Sequence, residues 1–517
     1  MKKNCTVFFT VITVLIVLCA FWGCDSGGDD DSGSPPGSVG SAADLAKIGT
    51  PGYPLNGNYE LTADITLPAG WTPIGSGTAP FTGTFDGKGH SIMIGSTTAS
   101  SIVAKGFSSG VDISSAPNLD FLSAWGCTGG FIARGLFAYI VDATIKNLNI
   151  TISPGFSFEI SSTVDQLQLF GIVAAAAVNT AFTNIHISGG TLDVDAPSTD
   201  RLLQGGVAGL LLEGSSMTDC HVEVKLQTSF VSTDSIALGG VVGSIDESGS
   251  ITDCSMDGDV EVSLGTAVAN ETNNNIGGLV GDDRGGSITG CSMTGNMEVS
   301  GGDKNRIGGL AGHTKGSIAN SFVSGNIDAS SAVSGSDMRL GGLAGELEGD
   351  NGLAVIRKSY STGTVRAADD AAAGGIAGIS KDDIEITDCY ASGVISAGSA
   401  SNAGSIVGGA EVKPGGSGSI TGCAALSVSV SCTGGTAKRI VGFISGGGSF
   451  SLNNNIANVG MLVNSGTVSS NDAADQNGED KTGPQLADKA TYIALGWDFA
   501  DVWKWKTDES RPILKWQ

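Results

Sequence analysis

The chain contains 517 residues, of which 80 are glycine and 6% are aromatic. This composition provides little core material for one compact globule, and it favours a repetitive fold in which small residues stack. The formal net charge of −25 argues against nucleic acid as a partner and against electrostatic docking on anionic membranes, because like charges repel each other.

The first 41 residues have the pattern of an export signal followed by a linker. Residues 1–23 contain two lysines and then the apolar run Val7–Ala20, which is too short for an ordinary membrane span. Residues 24–41 are rich in Gly, Ser, Pro and Asp, a composition that predicts a disordered linker. The junction at Cys24 resembles that of bacterial lipoproteins. The resemblance implies cleavage before Cys24, lipid attachment to this residue, and a membrane anchor made by the lipid.

One departure from the lipoprotein pattern leaves alternatives open. The usual motif has Leu and then Ala or Ser before a final Gly or Ala, whereas this chain has Phe21 and Trp22 before Gly23. The alternatives are an uncleaved N-terminal anchor and cleavage by an ordinary signal peptidase, although no A-x-A site is present.

Residues 42–133 are predicted to form an N-terminal cap, a first coil and an insertion loop. Ala42–Ile48 has the pattern of a short helix, and the alternation in Tyr59–Leu67 predicts a first strand. Thr97–Gly130 interrupts the pattern and includes Trp125. Because long insertions in solenoids often lie on the binding face, this loop is the first candidate for ligand contact. The alternative is an ordered lid that packs on the cap.

Residues 134–466 repeat one unit about every 34 residues, a period typical of solenoids. The clearest copy is IGGLVGDDRGGSITGCSMTGNMEV at Ile276–Val299, and LGGVVGSIDESGSITDCSMDGDVEV precedes it. A pentapeptide of the form Gly-small-apolar-apolar-Gly starts at Gly205, Gly239, Gly277, Gly308, Gly341, Gly374 and Gly404. Glycine at these positions suits corners that need a positive φ or a close approach of the backbone.

The rest of each unit alternates with a period of two. Cys254 and Met256 fall on one face, whereas Ser255 and Asp257 fall on the other, as in a half-buried strand. Short strands, glycine turns and a fixed period together predict an all-β fold, a right-handed parallel β-helix of about ten coils with N- and C-terminal caps.

The repeated phrase GGLVG…GSITGCSMTGNMEV resembles the GLUG motif of bacterial surface proteins. Good copies cover Gly205–Ser431, and degenerate copies extend the resemblance to Arg134–Asn455. The resemblance implies a β-helical scaffold, as in adhesin-like proteins; the motif also occurs beside the catalytic domains of some immunoglobulin-cleaving peptidases. No HExxH sequence is present, so the peptidase chemistry is not expected here.

Five cysteines occupy one position in their units and are predicted to form inward-facing ladders. They are Cys220, Cys254, Cys291, Cys389 and Cys423. Ser321 and Ser359 replace cysteine in two units, which indicates that the position requires a small side chain. Disulfides between neighbouring coils are the alternative. No CxxC or Cys/His cluster suggests a metal site, and no metal or cofactor is predicted.

Carboxylates also recur at fixed positions. Glu261 and Glu298 should lie on adjacent coils, as should Asp219 and Asp253. Either pair would be separated by roughly 5 Å, which is the carboxylate spacing of a retaining glycosidase. The alternative is an exposed acidic ladder that arises from repetition alone.

Residues 467–517 are predicted to form a C-terminal segment with a tryptophan-rich cap. Pro484–Leu495 has the pattern of a short helix. We expect the tryptophans of this segment to plug the last coil, although exposed ones can stack on sugars. They are Trp497, Trp503, Trp505 and Trp516.

These patterns predict a lipoprotein of the bacterial cell envelope, exposed at the cell surface, that acts as a non-enzymatic, adhesin-like binding or spacer scaffold. The expected partners are the membrane, through the lipid on Cys24, and a glycan or surface protein; nucleic acid and small-molecule cofactors are not expected. No catalytic residues are assigned. The alternative function is a polysaccharide lyase or glycoside hydrolase of the pectin-lyase-like β-helix type.

Overall fold

The computed structural model describes residues 37–95, 110–119, 130–161, 166–198, 201–231, 236–265, 273–332 and 337–517. The predicted signal peptide at 1–23 and nearly all of the predicted linker, including Cys24, lie outside these residues, as do Trp125 and most of the insertion. Within the described residues, no helix is long and apolar enough to cross a membrane.

The described chain forms an all-β parallel β-helix of about nine turns, which confirms the predicted fold class. A complete coil contains five short strands, or four where neighbouring strands of the second sheet are continuous. In one coil these are Asn274–Gly277, Val280–Asp283, Ser287–Thr289, Ser292–Met293 and Met297–Ser300. The first strand of each coil belongs to the first sheet, the following two or three belong to the second sheet, and the last belongs to the third sheet.

Strands of the first and third sheets stack in parallel from coil to coil. The first sheet contains Phe131–Arg134, Leu167–Gly171, Arg201–Gly205, Ile236–Gly239, Asn274–Gly277, Asn305–Gly308, Met338–Gly341, Ala371–Gly374, Asn402–Gly404 and Ala437–Lys438, with Val111–Asp112 antiparallel at its edge. The third sheet contains Ser157–Ser161, Thr191–Ser198, Lys225–Phe230, Val260–Leu264, Met297–Ser300, Ile327–Ala329, Val365–Ala367, Ile395–Ser399, Ser429–Thr433 and Leu462–Val463, with Gly466–Thr467 antiparallel at its edge.

The second sheet is the largest and includes the N-terminal strands. Its members are Ser38–Val39, Asn58–Leu61, Ile65–Thr66, Thr84–Asp86, Ser91–Ile94, Phe137–Val141, Thr144–Ile152, Ala174–Val178, Ala181–Gly189, Ala208–Leu212, Ser216–Val222, Val242–Ile245, Ser250–Thr252, Ser255–Met256, Val280–Asp283, Ser287–Thr289, Ser292–Met293, Ala311–Thr314, Ser317–Ala319, Phe322–Val323, Ala344–Arg357, Tyr360–Ser361, Ala377–Thr387, Tyr390–Ala391, Val407–Val412, Ser417–Thr421, Ala424–Ala425, Val441–Gly446, Ser449–Asn453, Ile456–Asn458 and Glu479–Lys481. The remaining elements are the helices Ala42–Leu45, Gly483–Leu486 and Lys489–Ala494 and the hairpin Trp503–Lys506/Arg511–Leu514.

Equivalent residues of successive repeats pair in register, so that each core position forms a stack. Ile276 pairs with Ile307, and Ile288 pairs with Ile318. The side chains of these stacks belong to one buried apolar cluster that extends from Val39 to Val463.

The short elements predicted near the N terminus are present, but the helix ends at Leu45, and the predicted first strand is divided into two.

The glycines of the pentapeptide are required by close packing of the backbone. A Cβ atom on Gly277 would lie less than 3.0 Å from Val280 O of the same coil, and one on Gly278 would lie less than 3.0 Å from Gly309 O of the next coil. Both glycines have φ outside the left-handed region. Of the two predicted reasons for glycine, the close approach is therefore the one that applies to this pair.

The residue before each cysteine position adopts a left-handed conformation. The stacked residues are Asn147, Asn184, Asp219, Asp253, Gly290, Asn320, Lys358, Asp388, Gly422 and Asn454, with φ between 50° and 69°. Asn, Asp and Gly tolerate this conformation best. The recurrence of Asp219 and Asp253, which suggested a carboxylate pair, thus has a conformational cause.

The predicted cysteine ladder is buried and unpaired among the described residues. Four successive side chains at this position, those of Cys254, Cys291, Ser321 and Ser359, accept a hydrogen bond from a backbone N–H of the preceding coil. Cys254 Sγ lies 3.4 Å from Cys220 N, and Ser321 Oγ lies 3.0 Å from Cys291 N. The position therefore requires a small acceptor as well as a small volume. Burial raises the pKa of the Cys220 and Cys291 thiols, which keeps them protonated.

The last coil is covered by a polar segment, and the predicted tryptophan plug is wrong. Glu479–Lys481 pairs with Ile456–Asn458. The fully buried Arg439 donates to Gly478 O at 2.9 Å and forms an ion pair with Asp480 at 2.7 Å. The tryptophans instead pack against the side of the β-helix, where an outward row of aromatic residues offers an apolar surface.

Candidate functional site

The flank cleft lies between the C-terminal hairpin and the outward face of the second sheet, and it has a volume of about 730 Å³. Its lining residues are the aromatic and apolar Phe322, Tyr360, Trp505 and Ile513, the polar Ser324, Thr362, Thr507 and Gln517, and the charged Lys504, Lys506, Asp508 and Arg511. This size is within the range of small-ligand sites.

The floor of the flank cleft is formed by Phe322 and Tyr360, which belong to an aromatic stack that the repeat produces. Phe322, Tyr360 and Tyr390 occupy one position in three successive coils, because parallel strands in register superpose equivalent residues. The rings of Phe322 and Tyr360 stack at 5.2 Å, and those of Tyr360 and Tyr390 stack at 4.6 Å. The sequences FVSG, YSTG and YASG carried this signal, which our sequence analysis missed.

The hairpin is fixed to this floor by stacking and hydrogen bonds. Trp503 is fully buried and stacks on Trp497 at 4.6 Å, and Trp497 in turn stacks on Tyr390 at 6.1 Å. The Tyr390 hydroxyl donates to Pro512 O at 2.9 Å, and the Tyr360 hydroxyl donates to Gln517 Oε1 at 2.8 Å. Burial raises the pKa of Tyr360 to about 12, so this phenol is a neutral donor.

The charged residues of the flank cleft lie on the hairpin. Lys506 and Arg511 both form ion pairs with Glu509. The hydrogen bond from Lys506, together with the charges of Arg511 and Lys506, lowers the pKa of Glu509. Stacking surfaces, hydroxyl groups and fixed charges in one cleft can hold a ligand that has both an apolar face and polar edges.

A second cleft lies near the N-terminal cap and differs in chemistry. It has a volume of about 680 Å³, and its lining residues include Ile48, Leu55, Trp71 and Ile74. The Trp71 indole is already bonded to Leu136 O at 3.2 Å. The lining contains no charged residue, so this cleft offers fewer polar partners than the flank cleft.

A buried ion cluster occupies a third position, at the tight glycine turns. There the outward side chains of the first sheet contact those of the following strand of the second sheet. In the early coils this space contains apolar residues such as Leu203, Leu210 and Ala237. In the middle coils the equivalent positions are charged, and the cluster consists of Asp282, Arg306, His313, Arg339, Glu346, Glu348 and Lys381.

His313 is the centre of this cluster and is only 5% exposed. Its Nδ1 lies 2.8 Å from Asp282 Oδ1, and its Nε2 lies 2.9 Å from Glu348 Oε2. Because ionised carboxylates only accept hydrogen bonds, both bonds require a doubly protonated ring. Asp282 Oδ2 also accepts a bond from Arg284 Nε at 2.9 Å.

Glu346 is fully buried and is surrounded by cations. Its Oε2 accepts from Arg339 and lies 2.5 Å from Arg306 Nε, and its Oε1 lies 3.2 Å from Lys381 Nζ. Burial lowers the pKa of Arg306 to about 10. The hydrogen bond from His313 outweighs burial and lowers the pKa of Glu348 to about 2.

Opposing effects also act on the pKa of Asp282. Burial raises it, but the hydrogen bond from His313 and the charge of Arg284 hold it well below its ordinary value. Asp282 and Glu348 are therefore ionised at neutral pH. His313, Glu346 and Glu348 each offer a ligand atom within 4.8 Å of the others, so the same residues could hold a metal ion.

Of the two carboxylate pairs predicted from the sequence, the structure gives a register for Glu261 and Glu298. Glu261 pairs in register with Glu298 on the next coil, as predicted, and Glu261 also forms an ion pair with Lys225 at 2.6 Å. Glu298 lines a shallow groove of about 280 Å³ together with Asp328 and Arg366. Cys24 and Trp125 lie outside the described residues.

No protein-family model and no curated protein matches the chain. The relation to the GLUG motif therefore remains a resemblance. Among solved structures, the chain is similar to a crystal structure described as a putative immunoglobulin A1 protease from Bacteroides ovatus. The identity is 17%, the TM-score is 0.27, and the match covers 93% of this chain and 92% of the other.

This comparison contradicts the prediction that the chain is not an enzyme, because the similar chain is described as a protease. We therefore withdraw that prediction. At a TM-score of 0.27 the likeness carries no argument about substrate or catalytic residues.

Proposed function

We propose that the chain is a ligand-binding lipoprotein of the bacterial cell envelope. In this proposal a lipid on Cys24 anchors it to the membrane, residues 24–41 separate it from the bilayer, and the β-helix presents its side at the cell surface. Support comes from the lysines and apolar run before Cys24 and from the acidic composition of the following residues.

The observation that carries the binding role is the flank cleft. It combines an aromatic floor, hydroxyl and amide groups, and the partly exposed Trp505 in a volume within the range of small-ligand sites. Sugars present apolar ring faces together with hydroxyl edges, so a glycan is the ligand class that fits this lining. A scaffold that served only as a spacer would not require such a cleft.

The test is a panel of glycans and matrix proteins probed with the full chain purified in detergent. We expect a subset of glycans to bind, and we expect Trp505→Ala to weaken their binding roughly tenfold or more, because an aromatic stacking surface is lost. Leu353→Ala is a matched control, since Leu353 is 57% exposed and does not line the cleft. Binding that Trp505→Ala leaves unchanged would contradict the proposal.

A second candidate function is polysaccharide cleavage, as a lyase or glycoside hydrolase. The in-register pairing of Glu261 and Glu298 favours it, because carboxylates on adjacent coils have about the spacing that a retaining mechanism uses. The same polysaccharides are therefore assayed for shortened products. Cleavage that is abolished by Glu261→Gln and by Glu298→Gln would assign this activity to the third sheet.

A further inference from the structure

We propose that His313, Glu346 and Glu348 bind a divalent transition-metal ion of the Zn²⁺ type. His313 lies on Ala311–Thr314, and both glutamates lie on Ala344–Arg357 of the next coil. One ligand atom from each residue lies within 4.8 Å of the others, which is close enough to surround one ion. The inference concerns a different part of the molecule from the flank cleft.

The imidazole is held as a metal-binding histidine usually is. Such a ligand donates one ring N–H to a carboxylate, which orients the ring and leaves the other nitrogen for the metal. Here Nδ1 lies 2.8 Å from Asp282 Oδ1, and Asp282 is fixed by Arg284. Nε2 faces Glu348 at 2.9 Å. An ion between these two atoms would replace the ring proton, which would leave to solvent.

A second observation comes from Glu346. This side chain is fully buried, yet its Oε1 makes no hydrogen bond to any described residue. Lys381 Nζ lies 3.2 Å from this oxygen as an ion pair without hydrogen-bond geometry. The ion pair offsets only part of the cost of burying this oxygen, and a bound metal ion would replace Lys381 as its cation.

The position of the cluster in the repeat also supports a metal site. The position of His313 and Glu346 carries apolar residues in other coils, including Tyr139, Leu210 and Ile379. Apolar packing at such a site is usually at least as stable as buried ion pairs. Ionic residues on three successive coils therefore indicate a role beyond packing.

The neighbouring cations set the expected strength and selectivity of binding. Arg306 and Arg339 remain on Glu346 Oε2, and Lys315 Nζ lies 3.4 Å from Glu348 Oε2, so these three positive charges weaken the attraction for a metal ion. Lys381, whose side chain is 23% exposed, can turn toward solvent. An imidazole ligand favours Zn²⁺ over Mg²⁺ and Ca²⁺, which prefer oxygen ligands alone.

The test is calorimetric titration of the full chain, stripped with a chelator, with zinc chloride and separately with magnesium chloride. We expect one Zn²⁺ per chain and no Mg²⁺ at the same concentrations. Glu348→Gln should abolish stoichiometric Zn²⁺ binding, and Asp282→Asn should weaken it by about 10–100-fold. Glu159→Gln is the matched control, since it removes an exposed carboxylate on another sheet. Circular dichroism confirms that each variant is folded.

A measurement on the unaltered chain keeps the proposal falsifiable if the variants fail to fold. X-ray absorption of the zinc-loaded chain should show one imidazole nitrogen and oxygen ligands at roughly 2.0–2.2 Å. Sulfur ligands at about 2.3 Å would overturn the proposal by assigning the ion to cysteines. The absence of stoichiometric Zn²⁺, or binding that survives Glu348→Gln, would also overturn it and leave the cluster as an ion-pair network.

Discussion

The last glycine of the pentapeptide gives a sharp test of how the coils pack. A Cβ atom on Gly281 would lie 2.5 Å from Leu238 N, 2.6 Å from Gly243 O and 2.7 Å from Ala237 C, all backbone atoms of the preceding coil. Ordinary van der Waals contact begins at 3.4 Å. The two coils would therefore have to separate by 3.4 − 2.5 = 0.9 Å at this point.

The expected cost follows from two opposing contributions. Overpacking of a tightly packed interior typically lowers the free energy of unfolding by up to about 3 kcal/mol, and we take this upper value because three backbone atoms are involved. Replacement of glycine by alanine removes conformational freedom from the unfolded chain, which raises the free energy of unfolding by about 0.4–1 kcal/mol. Gly281→Ala should therefore lower the free energy of unfolding by about 2 kcal/mol, which combines these two values.

Urea denaturation followed by circular dichroism measures this difference. Gly352→Ala is the control, since no described atom lies within 4 Å of the added Cβ and its φ is not in the left-handed region. This variant keeps only the unfolded-state contribution, so it should be neutral or up to about 1 kcal/mol more stable. If Gly281→Ala proved as stable as Gly352→Ala, the proposed close approach of the coils would be wrong.

Three further outcomes are expected. Tyr390→Ala should release the hairpin from its floor at a cost of about 3–5 kcal/mol, visible as a red shift of tryptophan emission; unchanged emission would contradict this. Cys254→Ser should melt like the original chain, whereas Cys254→Val should cost about 1–3 kcal/mol because Cys220 N–H loses its acceptor; equal melting temperatures would refute the hydrogen-bond role. Arg439→Met should leave Asp480 without its ion pair and accelerate hydrogen exchange in residues 469–481; unchanged exchange would argue against this segment as the cover of the last coil.

The sequence predicted the β-helix because its signals are local and repeated. Stacked coils require the same residue type at the same position, so Ile276 and Ile307 reveal both the period and the inward face. The glycine pairs were equally visible. Their cause needed the structure, since the close approach involves atoms of a neighbouring coil.

The candidate sites were harder to predict because they depend on contacts between distant segments. The flank cleft joins Tyr360 to a hairpin about 150 residues later in the chain, which no periodicity shows. His313 and Glu348 appear scattered in the sequence, and only the register of the coils brings them together. The tryptophans were assigned to the end of the β-helix because the outward row of Phe322, Tyr360 and Tyr390 was overlooked.

Hydrogen exchange on the full chain, with and without the best-binding glycan of the panel, tests the binding role most directly. The account predicts that ligand slows exchange in 322–324, 360–362 and 504–513, which form the flank cleft, and leaves 42–55 near the N-terminal cleft unchanged. Protection confined to 42–55 or to the third sheet, or the absence of protection at saturating glycan, would contradict the assignment of the flank cleft as the ligand site.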